Sequence, residues 1–327
     1  MNQFTYTRVS TKDTAIAALA KDKTAMFLAG GTNLIDLMKS GVTSPERLVD
    51  INALPLATIE ETKTGLRIGA LAKNSVVAED KLVLKHFPLL SQALSAGASP
   101  QLRNMATVGG NMMQRTRCHY FYDLALPCNK RQPGSGCGAI GGFNRMHAIF
   151  GTSEQCIAVH PSDMCVALTA LDATVLIAGP KGERTIPFGE FHRLPGTTPE
   201  KDNTLQRGEL IMAVDIPFNK LADHTHYLKV RDRASYAFAL VSVGAALDIS
   251  GGNIREARLA MGGVAHKPWR LTEAEAVLKG QPATEDTFRK AAETAMKTAR
   301  SFGGNDFKLT LAPNTIVEAL RVASLTH

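Results

Sequence analysis

The sequence contains no apolar run approaching the roughly 20 residues that would span a bilayer, so no membrane partner is expected. Residues Met1 to Asp13 lack a basic segment followed by an apolar stretch, so no secretory leader is expected either. Aromatic side chains make up only 6% of the chain, with one Trp. Lys and Arg are dispersed rather than blocked. The formal net charge of +7 therefore points to a basic docking surface for an acidic partner, not to nucleic acid. No Ser–His–Asp set or paired-carboxylate signature is evident, so no substrate-transforming catalytic residue is assigned to this chain. Cysteine is also scarce: five in 327 residues are too few for a disulfide scaffold. Yet four lie between Cys118 and Cys156, Cys165 follows, and the rest of the chain has none.

With 44% hydrophobic residues the chain can bury a sizeable core and divide into domains. The N-terminal third alternates helical and strand patterns. Thr11 to Ala20 reads as a helix capped by Ser10 or Thr11. Ala25 to Gly30 reads as a buried strand, and Asn33 to Gly41 as a helix closed by its glycine. RLVDI and GLRIGAL look like strands, and a helix is expected around Phe87 to Ala96. Cys165 to Gly179 reads as a helix turning into a strand, and Gly208 to Pro217 as a further strand. After Pro217 the texture changes. YLKVRDR, FALVSVGAALDIS and NIREARLAMGGV look like antiparallel strands. Three helices are expected next: one with a Thr272/Glu275 capping box and Gly280 at its end, one over Thr284 to Thr298, and one capped by Asn314 over Thr315 to Ala323. A boundary is placed near residues 218–225.

Two glycine loops stand out. LAGGTNL, Leu28 to Leu34, joins an apolar strand to a helix start, where paired glycines allow backbone amides to approach a phosphate. ATVGGNMM, Ala106 to Met113, repeats the paired glycines before an asparagine. Neither is G-x-G-x-x-G or G-x-x-x-x-G-K-[S/T], and each alone reads equally as a tight turn. Together they suit a grip on the two phosphates of one dinucleotide, with two tight turns as the alternative.

AGGTNL taken with SPQLRNMATVGGN, Ser99 to Asn111, resembles the FAD-binding subunits and domains of the molybdenum hydroxylases. The resemblance continues through LRIGAL, PSDMCVALTALDATV, GELI and YLKVRDR to MGGVAHKPWR, Met261 to Arg270. The fold it implies is α+β. A two-subdomain FAD-binding domain of the PCMH/vanillyl-alcohol-oxidase-like type would occupy residues 1–220, and a C-terminal antiparallel sheet-plus-helices domain residues 221–327. The resemblance assigns Ala29, Gly30, Gly31, Thr32, Asn33 and Leu34 to one side of the FAD pyrophosphate, and Thr107, Gly109, Gly110 and Asn111 to the other. It assigns Asp163 to the sugar–phosphate part and Leu210 and Ile211 to the adenine or ribose region. Lys229 falls where the family has a lysine near the flavin; a solvated strand lysine is the alternative. Substrate chemistry in this family occurs at a molybdenum cofactor on another subunit, and the FAD subunit passes electrons outward.

In simpler family members the G-G-N loop runs almost directly into an S-D-L block. Here an insertion of about residues 115–158 intervenes, holding Cys118, Cys128, Cys137 and Cys156 as candidate metal ligands. Gaps of nine, eight and eighteen residues do not match the paired spacing of structural zinc sites. Zinc, disulfides and a [4Fe–4S] cluster with four thiolate ligands all remain open on the residues alone. Arg115, Arg117, Lys130, Arg131 and Arg145 are placed to offset thiolate charge, Tyr120, Phe121 and Tyr122 to exclude water, and His119 or His160 to replace a thiol. Cys165 reads as a packed core thiol.

Two family branches share an extra [4Fe–4S] cluster, the 4-hydroxybenzoyl-CoA reductases and the periplasmic aldehyde oxidoreductases. QRTRCHYFYD, Gln114 to Asp123, is similar to the second. The resemblance therefore implies FAD and a [4Fe–4S] cluster in this chain. It also implies a [2Fe–2S] small subunit and a molybdenum-cofactor large subunit as partners in a heterotrimer, and an external electron acceptor. The expected location is the periplasm, by co-export with a signal-bearing partner, with the cytoplasm as alternative.

Overall fold

The computed structural model describes residues 1–326. Three short strands, β1 (Thr5–Arg8), β2 (Ala25–Leu28) and β3 (Arg47–Asp50), pair in parallel in the order β1-β3-β2. The helix Lys12–Lys21 makes the first crossover. Thr11 caps it by accepting from the Thr14 amide at 3.3 Å, and Ala15 and Leu19 are buried in the small core that also holds Val49.

Five strands form a second sheet: β4 (Ile59–Glu61), β5 (Gly65–Gly69), β6 (Thr174–Gly179), β7 (Gly182–Pro187) and β8 (Leu210–Pro217), antiparallel in the order β4-β5-β8-β6-β7. Helices Asn74–Glu79, Pro88–Ala96 and Asp163–Ala170 pack with Ile68, Val175 and Val214 of this sheet in the largest core. The third sheet is antiparallel too, with β9 (His224–Val230), β10 (Val241–Ser250), β11 (Asn253–Gly262) and β12 (Trp269–Arg270) in the order β12-β11-β10-β9. Strand β10 shows why its sequence lacks alternation. Val241, Val243, Ala245 and Leu247 enter the core of the C-terminal helices, while Ala246 enters the core beneath the second sheet. A strand covered on both faces reads as a continuous apolar run.

Two helix starts differ from the expectation. Thr272 is the first residue of helix Thr272–Leu278 and not its cap. Glu275 accepts from the Leu259 amide at 2.7 Å and pairs with Arg270, so a long-range contact displaces the local capping box. Asn314 starts no helix, because Lys308–Leu325 is one helix running through Pro313. An interior proline costs about 3 kcal/mol. Burying Ala312, Ile316, Ala319, Leu320 and Ala323 completely offsets it, at roughly 1.5–3 kcal/mol for each of the larger aliphatic side chains.

Candidate functional site: two cavities joined by one carboxylate

The chain after β2 turns at Gly30 and Gly31 into the helix Leu34–Lys39. Gly31 has φ +73°, a left-handed conformation that favours glycine. A Cβ on Gly30 would lie 2.1 Å from the Met105 carbonyl oxygen, so the first glycine loop rests directly on the chain entering the second. Among the described residues, the amides of Gly30, Gly31 and Thr32 donate to no other group of the chain. The Asn33 side-chain NH2 is buried without a partner, while its oxygen accepts from the Arg115 amide at 2.9 Å. This loop presents unengaged donors to a cavity of about 600 Å³, inside the size range of cofactor sites.

Ala29 to Leu34, Thr107, Gly109, Gly110, Leu210 and Ile211 all line that cavity. The second loop does so in a different way from the first. Val108 and Gly109 donate their amides to the carbonyls of Ala72 and Ala70 at 3.0 and 2.8 Å. The Gly110 amide reaches Thr107 Oγ1 at 3.2 Å. These amides are engaged within the chain, and the loop lines the cavity as a close-packed wall.

Three other expected residues lie outside the cavity lining. Asn111 accepts from Ser162 Oγ at 2.6 Å and Gln114 at 2.7 Å, which fixes the loop to the start of helix Asp163–Ala170. Asp163 and Lys229 are bonded to each other at 2.8 Å, with side chains 8% and 4% exposed. Tyr227 donates to Asp163 at 2.8 Å, and Lys229 donates to the Ala96 carbonyl at 3.0 Å. Lys229 is thus neither a solvated strand lysine nor a free cation facing the cavity.

The stretch from Glu200 to Arg207 also contributes lining residues that the sequence reading does not include. It has no motif; its one signal is a polar coil immediately before the GELI block.

Cys118, Cys128, Cys137 and Cys156 line a second, much smaller cavity, and all five cysteines of the chain are free. The insertion forms this cage by local turns. Asn129 accepts from the Gly134 and Gly136 amides at 3.1 and 2.8 Å, at φ +88° and +93°, and donates to Gln155. Cys128 and Cys137 face each other in an isolated antiparallel bridge. Tyr120 fills the space over Gly138 and Gly142, where any Cβ would meet its ring or hydroxyl within 2.5 Å. Burial pushes the thiol of Cys118 up to about 12 and that of Cys156 up to about 11, so without a bound cation both stay protonated.

Of the five insertion bases, Lys130 alone lines the cage. Arg131 is spent on the carbonyls of Tyr120 and Phe121, Arg145 on Asp232, and Arg117 on the Phe238 ring and the Arg115 carbonyl. Tyr120 and Phe121 line the cage, whereas Tyr122 turns to Asp36. His119 and His160 do not line it; His160 packs on His192 with centroids 4.3 Å apart. The imidazole at the cage is that of His147. Behind it the buried Lys308 ammonium donates to the carbonyls of His147 at 2.9 Å and Gly263 at 2.6 Å. Cys165 is a wholly buried core thiol.

Asp202 links the two cavities: it lines the large one and accepts from Lys130, which lines the cage. Lys130 reaches this carboxylate from the cage side, and Arg115 from the large cavity at 2.7 Å. The two cations hold the carboxyl group well below its usual range, despite burial.

A family model described as the FAD binding domain in molybdopterin dehydrogenase matches residues 2–219, and one described as the CO dehydrogenase flavoprotein C-terminal domain matches 226–323. The chain belongs to the FAD-binding subunits of the molybdenum hydroxylase family. It is 50% identical over 327 residues to the aldehyde oxidoreductase FAD-binding subunit PaoB of Escherichia coli, covering 99% of each. It is 28% identical to the glyceraldehyde dehydrogenase medium chain of Sulfolobus acidocaldarius, over 89% of this chain and 86% of the other. The fold matches reconstituted CO dehydrogenase from Oligotropha carboxidovorans with a TM-score of 0.79 at 24% identity, covering 100% and 99% of the two chains. As a family member the chain is an oxidoreductase subunit that binds FAD and works with partner subunits. The α+β fold with an antiparallel C-terminal sheet is the expected one. No helix of the described residues is long and apolar enough to cross a membrane.

Proposed function

We propose that this chain is the FAD- and [4Fe–4S]-carrying electron-transfer subunit of a three-subunit molybdenum aldehyde oxidoreductase. The observation that carries the reading is the convergence of four free thiols on one cavity beside the dinucleotide cavity. Full-length similarity to an aldehyde oxidoreductase subunit supports the substrate class. In this reading an aldehyde becomes a carboxylate at the molybdenum-cofactor subunit. Its electrons pass through a [2Fe–2S] subunit to this chain and then to an external acceptor.

FAD supplies two-electron storage that can be discharged in single steps, and the cluster supplies a one-electron carrier. The chain's own residues bind, orient and exclude water. The free amides of Gly30, Gly31 and Thr32 and the Asn33 side-chain NH2 would donate to phosphate oxygens. Ala29, Leu34, Thr107, Gly109 and Gly110 line the cavity that would hold the cofactor, and Leu210 and Ile211 would meet its adenine or ribose end. Asn111, Asp163 and Lys229 act one layer out, fixing the second loop and the helix behind it. Sγ atoms of Cys118, Cys128, Cys137 and Cys156 ligate iron, with Tyr120 and Phe121 excluding water.

The test is the cofactor content of the co-purified complex. A flavin spectrum with about four irons and four sulfides per chain supports the reading. Zinc without iron or flavin overturns it. Cys118→Ala is expected to lose the iron and keep the flavin; unchanged iron would refute the ligand assignment. The proposed periplasmic location, reached with a signal-bearing partner, is tested by fractionation, and a cytoplasmic complex would refute it.

A further inference from the structure

We propose that Asp202 is an electrostatic positioning residue shared by both cofactor sites, one that holds the Lys130 cation against the thiol cage and partly cancels its charge. The inference rests on the cluster reading above and adds a residue to it.

Lys130 is 2% exposed and lines the cage. Its ammonium donates to the Pro199 carbonyl at 2.7 Å and to the Asp202 carboxylate. The second cation on Asp202, Arg115, lies over the Phe121 ring at 4.7 Å, and its amide holds Asn33 of the first glycine loop. Two cations on one carboxylate leave a net positive unit enclosed between the cavities. The Lys130 side chain is 1% exposed, while Arg115 and Asp202 keep 26% and 21% at the large cavity, so the charge nearest the cage is the least screened of the three. One-electron reduction adds a negative charge to the cage, and a fixed positive unit beside it favours the reduced state. Because Asp202 also lines the dinucleotide cavity, a change of charge in either site is felt in the other.

The experiment is a redox titration of the complete holo-complex, following the cluster by EPR and the flavin by absorbance. Asp202→Asn removes the cancelling charge while its amide oxygen and the Pro199 carbonyl still accept from Lys130, and is expected to raise the cluster midpoint. Lys130→Met removes the favourable charge and is expected to lower it, while Lys130→Arg stays near wild type. Opposite shifts separate a charge effect from simple loosening, which would move both variants the same way. Unchanged midpoints, or shifts of one sign, in variants that retain iron overturn the proposal. If Lys130→Met alone loses its iron, the sign in Asp202→Asn decides. Loss of iron from both, with flavin retained, also overturns it, because the ion pair is then only a clamp. A wild-type complex without iron refutes the cluster reading itself.

Discussion

The Nε2 atom of His147 lies 3.1 Å from Sγ of Cys118. Burial, and then the nearby Lys308 ammonium, push the imidazole down to about 4, so it is neutral at ordinary pH and has one N–H to give. With Cys118 ligating iron as a thiolate, that N–H donates to sulfur and stabilises its negative charge. His147→Phe is therefore expected to lower the cluster midpoint, by the extra strength of that hydrogen bond in the reduced state, below about 1 kcal/mol. The flavin spectrum should be unchanged. EPR-monitored titration checks both.

Gly30→Ala forces a methyl group into the Met105 carbonyl, where the Cβ would lie at 2.1 Å. Backbone cannot yield as a side-chain tip does. The variant is expected to lose most of its FAD and several kcal/mol of stability. Gly189→Ala, with open space around it, is the matched control and should keep both. Flavin content and thermal unfolding read the result.

The glycine loops, the antiparallel strands of the C-terminal sheet and the thiol insertion are legible because each leaves a local mark: paired glycines, runs of β-branched residues, clustered cysteines. What escaped was set by contacts between distant segments. Glu275 has the spacing of a capping box, yet Arg270 and the Leu259 amide take its carboxylate. Pro313 with Asn314 looks like a helix boundary, yet burial of Ile316 and Leu320 carries the helix through. The Lys130–Asp202 contact spans 72 residues, and nothing near either one announces the other. Asp163 and Lys229 were recognised separately, but their bond to each other changes what both can do.

That bond is itself testable. Lys229→Met leaves the Asp163 carboxylate buried with the Tyr227 hydroxyl and without its cation, and is expected to cost roughly 3–5 kcal/mol. Lys229→Met combined with Asp163→Asn should cost less than the sum of the two single changes. Denaturant unfolding of the four proteins in the cycle measures the coupling.

Lys308 makes stability depend on pH. Burial pushes its amine down from the ordinary 10.5 to about 7 in the folded chain. Between those values the unfolded chain binds more protons, so this residue's contribution to stability rises with pH and is least favourable below about 7. Lys308→Met is expected to flatten that slope. The difference in melting temperature between wild type and variant should therefore change in favour of wild type from pH 7 to pH 9. A constant difference would show that Lys308 does not titrate in this window.

The seat of Lys308 behind His147 also has a consequence for biogenesis. On the ribosome the four thiols emerge well before Lys308, since synthesis runs from the N-terminus. During that interval the His147 carbonyl lacks its Lys308 donor, so the backbone of the cage imidazole is tied down only when that lysine docks.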